Sequence, residues 1–394
     1  MKALSVKEHI TSMKSQKNSF QFNRLLLLGC IICLAFSCVN DTYDDLVENN
    51  STLILKWNKA YDEDNLANSI IGLKWTFSYV GAYLPYNNTG ISIQNNLIEI
   101  DIKKLGFSAD AQQKLNKLHE VIISSEEYQV TGAIDIGRYI SLLLGAPSHY
   151  YEITGLPYEL SDLLELYNLN TERGYVTNSG VSYEHRIISF SEQNGFNQLF
   201  FCTEVDPITG EIFEYETVDL MPNGQVRFGI YNKDGIRINS TDPAHSRAGK
   251  TAKCIWCHES GIQPLFSKQE DIDDFLPYLD LKNILEEDRR THRNSQNSLN
   301  DGVNFQELQQ HTFAELLYIS FMEPSAERLS LEWNLPISEV QNLLSQFPTH
   351  THPEFTYLGE LYHRNDIDFL ASFKGLPVSS SIREESENEV NYLD

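Results

Sequence analysis

"QLFFCTEVDPITGEIFEYETVDLMPNGQVRFGIYN", residues 198–232, alternates apolar and polar residues in runs broken by "DPITGE" and "MPNG". Period-two runs separated by Gly, Pro, Asn and Asp are the pattern of strands joined by tight turns. With "YEHRIISF" (183–190) before it and "NKDG" (232–235) closing it, the stretch predicts an antiparallel meander over 180–240. Upstream, "LKWTFSYV" (73–80) and "NLIEIDI" (96–102) alternate in the same way and predict two more strands. Ser108 is placed to cap a helix carrying Leu115, Leu118, Val121 and Ile122. "AIDIGRYISLLLG" (133–145) reads as a second helix stopped by Gly145 and Pro147, and "PYELSDLLELYNL" (157–169) as a third.

Beyond the meander the pattern changes period. Residues 242–252 read as a loop, while "VNFQELQQHTFAELLYISFM" (303–322) and "SEVQNLLSQF" (338–347) have helical apolar spacing. "RRTHRNSQNSLNDG" (289–302) is polar throughout and predicts a long loop, and the acidic tail over 377–394 predicts disorder. The expected fold class is therefore α+β. A strand-rich region over 52–245 precedes a mainly helical one over 246–376. "AERLSLEWNLPISEVQNLL" (326–344) has the apolar spacing of a DNA-reading helix-turn-helix, but an exported acidic chain opposes that reading and two packed helices joined at Pro336 explain the spacing.

Charge and leader narrow the function classes. Fifty-five Asp and Glu against 30 Lys and Arg give a formal charge of −25, which opposes any grip on phosphate backbones and excludes nucleic acid as a partner. Arg24 precedes the apolar run "LLLLGCIICLAFSC" (25–38), which is shorter than a membrane span and has the basic flank and small-residue end of an export signal. "LAFSC" resembles a bacterial lipobox, with Phe36 where a small residue is usual. That resemblance implies cleavage of a signal peptide over 1–37 and diacylation of Cys38, so that a lipid on Cys38 holds the chain to a membrane. Met13 offers a second start that gives a leader of ordinary length. The acidic stretch over 38–51, with Asp41, Asp44 and Asp45, then reads as a tether. Such features place the chain in the cell envelope of a diderm bacterium, with the outer membrane as the expected anchor.

Of the six cysteines, Cys30 and Cys33 leave with the signal and Cys38 goes to lipid, so Cys202, Cys254 and Cys257 remain. Cys202 reads as a small buried hydrophobe. "KCIWCHES" (253–260) sets Cys254, Cys257 and His258 in a CxxCH pattern. Two thiols three residues apart, followed directly by histidine, are what covalent haem attachment needs: the thiols meet two vinyl groups and His258 presents its imidazole to the iron. Structural zinc would want a second ligand pair nearby, and a thiol oxidoreductase a thioredoxin-like βαβ setting; neither is evident, though both readings stay open with a structural disulfide.

"CIWCHESGIQPLF" (254–266) resembles the attachment segment of c-type cytochromes. The resemblance implies one haem c per chain, held by Cys254, Cys257 and His258, with iron as the metal and a redox protein as partner. It also implies that the Pro264 carbonyl accepts a hydrogen bond from His258, although five residues between them are fewer than the family usually has. Met322 lies downstream at a distance like that of the family's distal methionine and is the expected sixth ligand, with Met221 upstream in a turn. His311, His350, His352 and His363 are alternatives, and "THTHPE" (349–354) adds Glu354 as a further metal donor. The expected task is one-electron transfer. Alternatives are a haem enzyme of peroxidase or small-molecule oxidoreductase type with an open distal position, and a non-haem binding lipoprotein. His149, Tyr150 and Tyr151 cluster without suggesting a reaction, and P-loop, dinucleotide and GxSxG motifs are absent from the sequence.

Overall fold

The computed structural model describes residues 51–85, 90–299, 302–386 and 388–394. The signal peptide, Met13, Cys38 and all but the last residue of the tether lie outside the described residues. β1 (Thr52–Lys56) pairs antiparallel with β3 (Leu97–Asp101), and with β2 (Ile91–Gln94) and β4 (Ile134–Asp135) they form a sheet of order β2-β3-β1-β4. The register sets Leu53 against Ile100 and Leu55 against Ile98, and all four are fully buried, as period-two alternation requires.

Between β1 and β2 the expected strand over 73–80 is instead the end of a helix, α1 (Leu66–Tyr79), started by Asn65, whose side chain accepts from the Asn68 amide. The alternation misleads because the last turn of this helix, residues 75–79, is buried on every side. Leu73, Trp75, Phe77 and Tyr79 are buried, and so are Thr76 and Ser78 between them. The two hydroxyls are satisfied: Thr76 Oγ1 donates to Gly72 O at 3.0 Å and Ser78 Oγ accepts from Gln225 Nε2 at 2.9 Å. Gly72 is obligatory, since a Cβ there would stand 2.6 Å from the Phe313 backbone.

The helices foreseen next do form. α2 (Ala109–Ser124) is capped by Ser108, whose hydroxyl accepts from Ala111 N, and α3 (Glu126–Thr131) follows. β4 (Ile134–Asp135) pairs parallel to β1, and Asp135 caps the fully buried α4 (Ile136–Leu144), which stops at Gly145. α5 (Pro147–Thr154) has proline in its first turn, and the third expected helix shrinks to α6 (Leu160–Leu164).

The meander is a five-stranded antiparallel sheet in sequence order: β5 (Gly174–Val176), β6 (His185–Phe190), β7 (Leu199–Val205), β8 (Ile212–Leu220) and β9 (Val226–Asn232). Helices follow: α7 (Thr251–His258), α8 (Tyr278–Asn297), α9 (Thr312–Met322), α10 (Ala326–Trp333), α11 (Ile337–Leu344) and the single turn α12 (Arg364–Ile367). The fold class is α+β. α8 occupies much of the expected loop over 289–302. Its buried side offers only Leu281, Leu285, His292 and Gln296, and the last two are held by hydrogen bonds to Gly224 O at 3.0 and 2.7 Å. A helix docked through polar anchors shows no apolar stripe.

Residues 51–394 form one compact unit. The regions separated at 245/246 share one core, running from Leu53 through Phe228 and Ile255 to Leu393. α10 and α11 close a satellite cluster of Leu329, Trp333, Val340, Leu344 and Ile367, which accounts for the helix-turn-helix spacing. The tail is irregular but not disordered in its described residues. Ile382 and Leu393 are buried, the fully buried Lys250 reaches Ser381 O at 2.8 Å, and Tyr392 N donates to His149 Nε2 at 2.8 Å. A few anchors in a polar segment suffice to hold it. Among the described residues no helix is long and apolar enough to cross a membrane.

Candidate functional site

α7 turns Thr251, Ala252 and Ile255 into the core. Cys254, Cys257 and His258 stand at positions i, i+3 and i+4, which share the face next to it. All three line one cavity of about 140 Å³. Its floor is the sheet: the register sets Ile188, Cys202 and Glu216 in a row across β6, β7 and β8, with Arg186, Phe200 and Val218 on the same face. Ile262, Pro264, Leu265 and Phe266 cover it, and Leu285 of α8 closes one side. The lining is chiefly apolar, as small-molecule and cofactor pockets are.

The three groups keep some accessible surface, and that surface faces the cavity. Burial pushes the His258 imidazole down to about 4, so at neutral pH it is an uncharged lone-pair donor. Its ring lies 5.3 Å from that of Phe228, and its Nδ1 is buried without a hydrogen-bond partner. The expected bond from His258 to the Pro264 carbonyl is thus not made, although Pro264 lines the cavity. Burial also raises the Cys254 and Cys257 thiols, the opposite of the shift that activates a redox-active pair. Both are free thiols, and so is Cys202. Cys202 is more than the packing residue expected, since it shares the cavity with the other two.

Among the described residues, donor atoms of Cys254, Cys257, His258 and Cys202 do not gather closely enough to hold one ion. This counts against structural zinc, whose four ligands crowd a single tetrahedral centre. The arrangement can instead present two thiols and an imidazole along one face of a flat apolar ligand.

The other expected metal donors lie elsewhere. Met322, the expected distal ligand, ends α9 partly buried against the core and does not line the cavity; its distance along the chain carries no information about place. Met221 borders a different cleft, beside Tyr83 and Phe196. His311 packs edge-on to Trp75 and lies 3.4 Å from Glu315. His350 Nε2 is 2.8 Å from Glu323, and its ring stacks on His363 at 4.1 Å. His352 stacks on Phe355 and Glu354 faces Arg383 at 3.5 Å, so "THTHPE" does not converge on one centre. His149, Tyr150 and Tyr151 are core residues with structural hydrogen bonds to Leu142 O, Phe228 N and Ile238 O.

One end of the cavity is polar in a way the sequence did not suggest. Arg186 pairs with Glu204 and, at 2.9 Å, with Glu216, and Glu214 stands across the strands from Glu204. Burial first, and Glu216 second, raise the Glu214 carboxyl to about 9. Folded protein therefore holds a proton there that unfolded chain releases above about 4.5, so stability falls as pH rises through that window to about 9. His258 and His292, both lowered to about 4, are silent in its upper half. In buffer free of divalent cations, the urea midpoint is expected to drop between pH 7 and pH 9, and Glu214→Gln is expected to flatten that drop. An equally steep drop in the variant would place its origin elsewhere.

No protein-family model, curated protein or solved structure matches this chain. The functional reading therefore rests on the site alone.

Proposed function

We propose that this chain is an exported lipoprotein, anchored through Cys38, that carries one haem c on Cys254, Cys257 and His258 and passes single electrons to a redox partner protein. The observation that carries the reading is the cavity: the three residues of the CxxCH pattern stand on one helical face and all look into the same apolar space. Bound there, the haem would supply a one-electron iron couple in a water-poor setting.

The residues divide the work. Cys254 and Cys257 would each add across one vinyl group, sulfur to one carbon and hydrogen to the other, so attachment consumes no oxidant. His258 is neutral at working pH and can donate a lone pair without first losing a proton. The orphaned Nδ1 of His258 remains to be satisfied by a carbonyl or a water, which would fix the ring and tune its donor strength. Phe228 limits the rotation of the imidazole. The cavity is smaller than the roughly 300–1,000 Å³ usual for ligands of drug size, so residues 259–277, which form neither helix nor strand, have to move outward on attachment. The test is coexpression with haem c maturation machinery: haem that stays on the chain through denaturing electrophoresis supports the reading, and a haem-free band under those conditions opposes it.

One observation favours a second reading. Among the described residues, no methionine and no histidine other than His258 lines the cavity, so they offer no ordinary sixth ligand. An exchangeable distal position suits small-molecule chemistry rather than electron transfer alone. Carbon monoxide added to the reduced protein separates the two: a prompt spectral change is expected for the open site, and an unchanged spectrum for the carrier.

A further inference from the structure

The polar end of the cavity carries more negative charge than its single arginine can neutralise. Glu204, Glu214 and Glu216 bring carboxylate oxygens within 4.8 Å of one another. Glu204 is fully buried and Glu214 is 2% exposed. One oxygen of each is already engaged: Arg186 Nε donates to Glu204 Oε1 at 2.9 Å, and the Asp242 amide donates to Glu214 Oε2 at 3.0 Å. Glu216 gives Oε1 to Arg186 at 2.9 Å and to Ser246 Oγ at 3.5 Å. The remaining oxygens of the two buried residues, Glu204 Oε2 and Glu214 Oε1, are buried without a hydrogen-bond partner in the protein. Buried carboxylate oxygens in that state are costly unless a proton or a cation joins them.

We propose that Glu204, Glu214 and Glu216 bind one divalent cation, calcium in the first instance, at this end of the sheet. Fully ionised, three carboxylates and one guanidinium would leave two negative charges, which a divalent ion cancels as it displaces the proton held on Glu214. The donors are oxygens only, so the ion belongs to the hard class rather than to zinc or copper. Calcium accepts irregular geometry and carboxylates fixed from outside. Magnesium demands a tight, near-ideal octahedron, which carboxylates fixed by strand register and by Arg186 are less free to adopt. The donors are placed by strand register, Glu204 opposite Glu214 and Glu216 two residues further on the same face, so the site is part of the sheet rather than of a loop. Arg186 acts as a positioning residue that holds two of the three carboxylates in place. The proposal is independent of haem attachment, because every ligand comes from the meander.

The test uses the full mature chain freed of metal with EDTA, in buffer of about 0.15 M ionic strength to screen diffuse binding to an acidic surface. Equilibrium dialysis against radioactive calcium, with magnesium in excess, is expected to leave one ion per chain. Saturating calcium is expected to raise the thermal midpoint by about 2 °C or more, reversibly with EDTA. Glu214→Gln should lose both effects while melting, without calcium, no earlier than the parent, since the amide replaces a carboxyl that already carries a proton, at constant shape. Should that variant fail to fold, the dialysis stoichiometry of the parent chain still decides. A chain that retains no calcium, or a Glu214→Gln chain that binds it like the parent, overturns the proposal and leaves a shared proton as what joins the carboxylates.

Discussion

Changing Cys254 and Cys257 together to alanine is expected to abolish covalent haem completely while leaving the fold intact. Both side chains line a cavity, Cys254 at the edge of the core, and each is small, so truncation removes few packing contacts. The cost to stability should stay near the low end of the range for small buried residues, about 1 kcal/mol. Single variants should retain one thioether each and thus some haem. Changing His258 to alanine should leave both thiols able to react yet remove the imidazole, giving a chain that carries haem with an altered spectrum. The readouts are haem staining after denaturing electrophoresis and circular dichroism of the same samples. A double variant that still carried covalent haem would dismiss the role given to these thiols.

Changing Glu332 to alanine is expected to have the largest effect on stability, a loss of about 3–5 kcal/mol, because it leaves two buried arginines without their shared partner. Glu332 accepts from Arg364 at 2.6 and 2.9 Å and pairs with Arg328. Arg328 in turn reaches Asp135 at 2.8 Å, and Arg138 pairs with Glu127 at 2.7 Å. The guanidinium carbons of Arg138, Arg328 and Arg364 sit 4.9, 5.5 and 4.0 Å from the centre of the Phe321 ring. This network ties α10 and α12 to the start of α4, so the satellite core should loosen with it. The two arginines hold the Glu332 carboxyl well below its ordinary range despite burial. Its contribution is therefore present above about 4.5 and fades only in strong acid, as the carboxyl takes a proton. Urea titration at neutral pH checks the size of the loss. Glu287→Ala is the control, since its pair with Arg290 is exposed on both sides and should be worth about 0–1 kcal/mol. Equal losses in the two variants would contradict the account.

The meander was legible because its turns are written in the chain: "DPITGE" and "MPNG" fix where strands stop, and alternation fixes which face each residue takes. The cap at Ser108 marks a helix start by a chemistry that a side chain carries locally. α1 escaped because its last turn, buried all round, has no stripe, and Trp75, Phe77 and Tyr79 happen to fall at alternate positions. α8 and the tail escaped for the converse reason: each is held by a few polar anchors, such as Gln296 and Lys250, that look like surface residues in one dimension.

The site divides along the same line. Placing Cys254, Cys257 and His258 on one face needed only helical spacing, which is local. That Cys202, Arg186 and Glu216 meet them across the cavity depends on strand register and on how α7 lies over the sheet, and no local pattern encodes either. Met322 shows the limit from the other side. Sequence distance from the motif suggested a ligand, but helix α9 spends that residue on packing against the core.

The measurement that bears most directly on the central claim is a mass spectrum of the tryptic peptide spanning residues 254–268, cut after Lys253 and Lys268, from protein exported alongside haem c maturation machinery. The account predicts one haem on this peptide, bound through both Cys254 and Cys257, and no unmodified form beyond a trace. The same peptide recovered with two free thiols, or joined by a disulfide, would contradict it.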